Sequence, residues 1–287
     1  AKIAKGEYLM MLNNDTEVSD FWLDNLLQTF TDFPKTGLVG SKLIYHDGTL
    51  QEAGGIIWQD GSAWNFGKFK NGDDPIYNYA REVDYCSGAA IMIPKKIYSE
   101  FGGFDEEYAP AYCEDSDFAL KVRSRGYRVI YQPLSKIKHF EGVTSGQELN
   151  KGVKQYQVIN SKKLFSKWQG FLKERPPNGV DVDKAKDRAN KYRVLFIDQN
   201  TPTPDQDAGS VDAYNQMIIL REMGFQVTFV PAYIHYVQKY TRQLQRVGIE
   251  AIYFPYTTSL KDHLLEYGKR YDLVFISRVN TFQSYIN

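Results

Sequence analysis

Residues 193–276 constrain most what this chain can fold into. Short strand-like runs alternate there with helix-like stretches: Arg193–Asp198, Gly209–Met223, Gln226–Val230, Lys239–Val247, Ala251–Phe254, Leu260–Tyr267 and Asp272–Ile276. Strands separated by helices are joined by crossovers, and crossovers keep the strands parallel. The pattern predicts a parallel α/β sheet built from βαβ units. About four strands are fewer than a usual sheet holds, so this domain is expected to be incomplete at Asn287.

Upstream, residues 173–191 change character. Pro176-Pro177-Asn178-Gly179 breaks regular structure and the remainder is charged, which predicts a linker. The expected organisation is a first domain over 1–172, a linker over 173–191 and a second domain over 192–287. The first domain opens on Tyr8-Leu9-Met10-Met11-Leu12, a continuous apolar run expected of a buried parallel strand. It stops at Asn13-Asn14-Asp15-Thr16. Ligands of open α/β sheets gather at the carboxyl ends of strands, so this polar group is a site candidate.

Ser19 or Asp20 is expected to cap a helix carrying Leu23, Leu26, Leu27 and Phe30, which ends near Pro34. Strands follow over Gly37–Tyr45 and Leu50–Trp58, joined by a His46-Asp47-Gly48 turn. Residues 59–82 are polar and Gly/Asp-rich around Trp64 and Phe66, the profile of a functional loop. Val83–Pro94 reads as a strand. Its Ser87-Gly88-Ala89-Ala90 centre is small enough for another group to approach the backbone. Pro94 starts a short helix to Phe101. Tyr127–Tyr131 and Leu134–His139 read as two strands, followed by a polar loop over Glu141–Gly146. Residues 149–168 read as an amphipathic helix with Val153, Tyr156, Ile159, Leu164, Phe165 and Trp168.

The stretch Pro110-Ala111-Tyr112-Cys113-Glu114-Asp115-Ser116-Asp117-Phe118 puts three carboxylates at a helix start. Acids are favoured there by capping and by the helix dipole alone. They also suit general-base chemistry when burial holds their pKa up. Asp207-Ala208-Gly209-Ser210 opens a second-domain helix in the same way, where capping or an anion both fit. Lys121, Arg123 and Arg125 read as solvated helix charges.

Composition removes several classes. The 35 basic residues balance the 35 acidic ones, which gives no electrostatic case for nucleic acid. The two cysteines, Cys86 and Cys113, form no CxxC pair, so a structural zinc site is not expected. So few thiols suit a reducing compartment. No apolar run reaches the length of a membrane span. The expected location is the cytoplasm, in association with the inner face of the membrane.

Several separated motifs together resemble family 2 glycosyltransferases of the GT-A fold, in their rhamnosyltransferase-like branch. They are Gly6-Glu7-Tyr8 with Leu12-Asn13-Asn14-Asp15-Thr16, Ser87-Gly88-Ala89 with Ile93-Pro94, and Gly102-Gly103-Phe104-Asp105-Glu106. Glu114-Asp115-Ser116-Asp117, Arg123, Gly126-Tyr127, Pro133 and His139 complete the set. The resemblance spans roughly residues 1–146. It implies that the family's N-terminal nucleotide-binding strand would precede Ala1. The second domain is similar to the N-terminal half of GT-B glycosyltransferases through Val194–Asp198, Pro202–Ser210 and Tyr271–Arg278. The expected fold class is therefore α/β: a partial GT-A mixed sheet, then a partial Rossmann-like parallel domain.

The resemblance implies sugar transfer with inversion from a nucleotide-diphosphate donor to a glycan or lipid-linked glycan acceptor, in polysaccharide assembly. It gives Asp115 the base role, with Glu114 as substitute. It makes Asp15 and His139 ligands of a divalent metal, Mn²⁺ or Mg²⁺. Asn13, Asn14, Ser87, Gly88 and Ala89 would meet donor or acceptor, with Asp84 close by. Trp64 would stack on a sugar, although packing explains the tryptophan equally well. The alternative function is a non-catalytic carbohydrate-binding or scaffolding segment of a larger polysaccharide-assembly protein.

Overall fold

A computed structural model describes residues 1–140 and 155–278. The chain divides into two compact units: residues 1–72 with 81–187, and residues 73–80 with 188–287.

The first unit is built on a mixed sheet. Its elements are β1 (Tyr8–Leu12), β2 (Thr16–Val18), α1 (Trp22–Asp32), β3 (Thr36–Ile44), β4 (Leu50–Glu52), β5 (Gly55–Ile57) and β6 (Ala63–Asn65). β7 (Arg81–Glu82), β8 (Ala90–Pro94), α2 (Lys95–Glu100), α3 (Glu114–Ser124), β9 (Arg128–His139), α4 (Gln155–Leu172) and α5 (Val182–Lys186) follow. The strand order is β1-β8-β3-β9-β2, with β4 added to β3 and β7 to β9, and β5 pairs separately with β6. Only β3 and β9 run parallel; the other pairs are antiparallel. β3 is buried along its whole length, as its apolar sequence requires. α1 packs on β3 and β9.

Several expectations are corrected here. Tyr8–Leu12 is not a buried parallel strand but the sheet's edge, antiparallel to β8. Neither Ser19 nor Asp20 caps α1: its cap position is Phe21 at φ 58°, without a side-chain bond. The Ser19 hydroxyl instead donates to Lys136 O at 2.7 Å. Leu26 is the buried apolar position of α1, whereas Leu23 and Leu27 are exposed. The two strands expected around Pro133 are one, β9. Its register against β3 breaks between Gln132 and Lys136, so the imino residue sits where no ladder donor is needed.

The strand expected over Val83–Pro94 forms only at Ala90–Pro94. Residues 83–89 lie instead against glycines. A Cβ at Gly40 would fall 2.1 Å from Cys86 Cβ, and one at Gly55 would fall 1.9 Å from the Tyr85 ring. Those two glycines allow the close approach of Cys86 and Tyr85, while Gly88 within the segment is approached by Asp115.

Residues 173–187, expected as linker, pack into the first unit. Buried Arg175 pairs with Asp84 at 2.5 Å. Gln59 N donates to Pro176 O at 3.1 Å, and Ala185 packs with Ile56 and Trp58. Of their charges, those of Arg175, Lys186 and Asp187 are buried. The polar loop expected over Glu141–Gly146 lies outside the described residues, as does the beginning of the 149–168 helix with Val153. What is described of that helix extends to Leu172.

The second unit matches its expected pattern closely. It comprises β10 (Tyr192–Asp198), α6 (Ala208–Glu222), β11 (Phe225–Pro231), α7 (Gln238–Arg246), β12 (Ile249–Ala251), α8 (Leu260–Tyr267) and β13 (Leu273–Ile276). All its strands are parallel, in the order β12-β11-β10-β13. Alternate residues of β10 feed two cores: Val194 and Phe196 pack with Ala213, Met217 and Leu244, and Leu195 and Ile197 pack with Ile252 and Leu260. Burial on both faces is why these strands read as apolar runs. The strand expected at Ala251–Phe254 instead ends at Ala251. Among the described residues no helix is long and apolar enough to cross a membrane.

Candidate active site

The site is assembled on the backbone of Ser87, Gly88 and Ala89. Ala89 O accepts from Asn13 N at 2.9 Å. Gly88 N donates to Asp115 Oδ2 at 2.9 Å, and Ser87 N donates to Glu52 Oε1 at 2.9 Å. Three consecutive residues thus join the end of β1, the start of α3 and the end of β4.

On the β1 side, the Asn13-Asn14-Asp15 turn leads into β2, whose Thr16 pairs with His139 at the end of β9. That register brings His139 Nε2 to 3.3 Å from Asp15 Oδ1 and 3.2 Å from Asn13 Nδ2. His139 Nδ1 faces Gln51 Oε1 at 3.1 Å. Fixing a ring through its far nitrogen is what a histidine ligand requires. Asn14 is exposed beside this pair.

The pair offers ligand types that divalent cations take, one carboxylate and one imidazole nitrogen, the latter also 3.2 Å from the Asn13 amide nitrogen. Among the described residues no group of three or more His, Cys, Asp or Glu side chains is poised to hold a metal. Asp15 and His139 alone would leave a cation most of its ligands to find elsewhere.

On the α3 side, Tyr112 and Cys113 both adopt positive φ, 74° and 73°. Left-handed residues other than glycine store strain, and here the surroundings impose it. The Asn160 amide of α4, fully buried, donates to Tyr108 O and Ala111 O at 2.8 and 2.9 Å and lies 3.1 Å from Tyr112 O. The turn delivers Glu114 and Asp115 into the first turn of α3. Asp115 Oδ1 also accepts from Ser116 N at 2.6 Å.

Burial raises the Asp115 carboxyl above its ordinary range, opposed by the Gly88 and Ser116 amides that stabilise the anion. Burial, then the charge of Asp115, pushes Glu114 up to about 7. These acids are more than helix caps, since burial raises both carboxyls, Glu114 to about 7. Asp117 has a different fate. It is buried, accepts from Trp168 Nε1 at 2.7 Å and pairs with Lys167 at 2.8 Å, with Tyr108 OH at 3.3 Å. Its carboxylate locks α4 onto α3.

Other expected residues are not brought in. Both oxygens of Asp84 are engaged, one by Arg175 and one by Ile57 N at 2.8 Å. Trp64 packs edge-on against buried Trp58, 5.1 Å between centroids. Arg123 is not a solvated charge: it pairs with Glu82 at 2.8 Å. In the second unit Asp207 caps α6, accepting from Ser210 N at 2.8 Å. Sequence reading missed Gln51, Glu52 and Asn160. The Gln51-Glu52 pair stands in a buried strand where apolar residues belong, and that was the available signal.

No family model matches the chain. Half of it, 153 residues, is 32% identical to the O-antigen biosynthesis protein RfbC of Myxococcus xanthus, covering 12% of that protein. Half is 22% identical to the N-acetylglucosaminyl-diphospho-decaprenol L-rhamnosyltransferase of Mycobacterium tuberculosis, covering 50% of it. Over half its length the chain is similar to glycosyltransferases. It spans half or less of the length of these relatives. A structure of GalNAc-T7 with UDP, GalNAc and Mn²⁺ aligns over 60% of this chain and 35% of that one, at 15% identity and a TM-score of 0.45.

Proposed function

We propose that this chain carries the catalytic part of a GT-A-type, metal-assisted glycosyltransferase that inverts the configuration of the transferred sugar. The reading is supported above all by the Ser87–Ala89 backbone, which bonds both to the Asn13–Asp15 turn and to Asp115. Charge stabilisation and proton removal then act in one place. It is supported also by the similarity to sugar-transfer proteins.

The acceptor is a glycan hydroxyl and the donor a nucleotide-diphosphate sugar. Asp115 takes the hydroxyl proton as the acceptor oxygen forms its bond to the anomeric carbon. The bond from that carbon to the diphosphate breaks, and its electron pair leaves on the phosphate oxygen. Asp15 and His139 would hold a divalent cation, which when bound would supply Lewis-acid stabilisation of the departing diphosphate. Asn13, Asn14 and Ser87–Ala89 line the donor side. Glu114 is the nearest substitute for Asp115 in sequence. Asp84 and Trp64 serve the framework of the first unit instead. For the second unit we keep the narrower reading of a parallel α/β domain resembling the opening of a GT-B module. We assign the whole to polysaccharide assembly.

The test is an activity screen of the full-length protein. Nucleoside diphosphate release from a panel of nucleotide sugars is followed with Mn²⁺, with and without glycan acceptors. Acceptor-dependent release, with inversion at the anomeric carbon by NMR, is the expected result. Glycan binding without any release would favour a carbohydrate-binding module instead.

A further inference from the structure

Glu52 ends β4 and is fully buried. It is gripped by the amide next to the one that grips Asp115: Ser87 N to Glu52 Oε1, then Gly88 N to Asp115 Oδ2, each at 2.9 Å. Two carboxyls so placed share one short piece of backbone. Any motion of Ser87 turns the peptide that carries the Gly88 N–H. Glu52 Oε2 is buried without a hydrogen-bond partner. A buried, unpaired carboxylate oxygen is costly as an anion and far less so as an acid.

We propose that Glu52 is a positioning residue for Asp115: by holding Ser87 N–H it aims the neighbouring Gly88 N–H at the Asp115 carboxylate. This rests on the reading of Asp115 as the base. Glu52 works as the neutral acid, with Oε1 accepting from Ser87 and Oε2 carrying the proton. Burial pushes it up to about 8, opposed by the Ser87 amide and by Arg81 and reinforced by the charge of Asp115. The other titratable groups facing it are Tyr85 and Cys86 in the segment after β7 and Tyr131 on β9. All three are themselves held neutral by burial. Below about pH 8 Glu52 therefore adds no negative charge beside Asp115. The anion needed as base is kept without a second charge beside the phosphates.

The prediction can be read without knowing the substrate. Carboxyl ¹³C NMR of the protein labelled at Asp and Glu follows Asp115, assigned through Asp115→Asn, as pH is raised. The wild type is expected to show a second inflection in the Asp115 resonance near pH 8, where Glu52 ionises. Glu52→Gln keeps an acceptor for Ser87 N–H, so it should abolish that inflection and leave the Gly88 amide shift in place. Glu52→Ala frees Ser87, so the Gly88 amide should move upfield and the Asp115 midpoint should rise by about one pH unit, a tenfold change in proton affinity. Persistence of the inflection in Glu52→Gln would overturn the proposal. So would a Glu52→Ala variant whose Gly88 amide and Asp115 midpoint match the wild type. Since these signals report geometry, they stay informative even if Asp115→Asn proves active and the base assignment fails.

Discussion

Replacing Asp115 with Asn is expected to lower kcat for sugar transfer by about 10²–10⁴-fold, the usual contribution of a positioned general base. The substitution is nearly isosteric. Asparagine has one accepting oxygen, so it keeps either the Gly88 N–H bond, now 2.9 Å to Asp115 Oδ2, or the Ser116 N–H bond, now 2.6 Å to Oδ1, and its NH2 faces the other amide. What is lost is the capacity to take a proton. The fold and the affinity for donor should therefore change little, and the loss should appear in kcat more than in KM.

The pH dependence follows from the environment of the acid. Burial raises the Asp115 carboxyl above the ordinary carboxylate range, opposed by two amides, so the base is lost as pH falls, and lost sooner than an exposed Asp would be. Activity should fall on the acid side of neutrality. Glu114 is the residue to carry any residual turnover; without the Asp115 charge that helps push it up to about 7 its carboxyl falls, so that turnover should rise with pH from below neutrality. Steady-state kinetics of the full-length protein check both statements. Near-normal turnover in Asp115→Asn would remove Asp115 from the base role.

Asp15→Ala is expected to weaken Mn²⁺ binding, titrated calorimetrically with UDP as the probe, by at least about 100-fold. The carboxylate is the only anionic group in the Asn13-Asn14-Asp15 turn, and it stands 3.3 Å from His139 Nε2. Without it the cation keeps one imidazole and the diphosphate. Gln51→Ala should cost less, about 10–100-fold, because it frees the His139 ring without removing a ligand. Binding of Mn²⁺ with UDP that is the same in Asp15→Ala and wild type would rule the residue out. Because Asp15 sits in an exposed turn at the end of an edge strand, loss of binding is not expected to be accompanied by loss of fold.

The sequence carried the second unit almost completely. Its strands are buried on both faces and its helices cross over in regular alternation, so local composition and tertiary role agree. The first unit was harder where tertiary contacts override local pattern. Residues 83–89 have strand composition, but Gly40 and Gly55 let Cys86 and Tyr85 press down onto other strands, and the segment bends away. The charged run 173–187 looked solvent-loving, yet Arg175 and Lys186 are buried beside Asp84 and Asp187. An ion pair across 91 residues of sequence cannot be seen in a local window.

The site was legible in part for a similar reason. Asp115, Asp15 and His139 stand in motifs with fixed local spacing. Gln51, Glu52 and Asn160 act through single long-range hydrogen bonds from positions with no motif of their own. In the sequence Asp117 reads as a helix-surface or ion-pair residue apart from Glu114 and Asp115; it does pair with Lys167, and with Trp168, of α4, but buried rather than at the surface.

The central claim is that the Asp15–His139 pair and Asp115 belong to one site. Paramagnetic broadening by Mn²⁺ tests it most directly. The Asp115 carboxyl ¹³C resonance is followed in the protein with UDP as Mn²⁺ is added, with Asp15→Ala as control. The expected result is selective broadening of Asp115 in the wild type that disappears in the control. An Asp115 resonance that stays sharp while Mn²⁺ binds in an Asp15-dependent way would contradict the account.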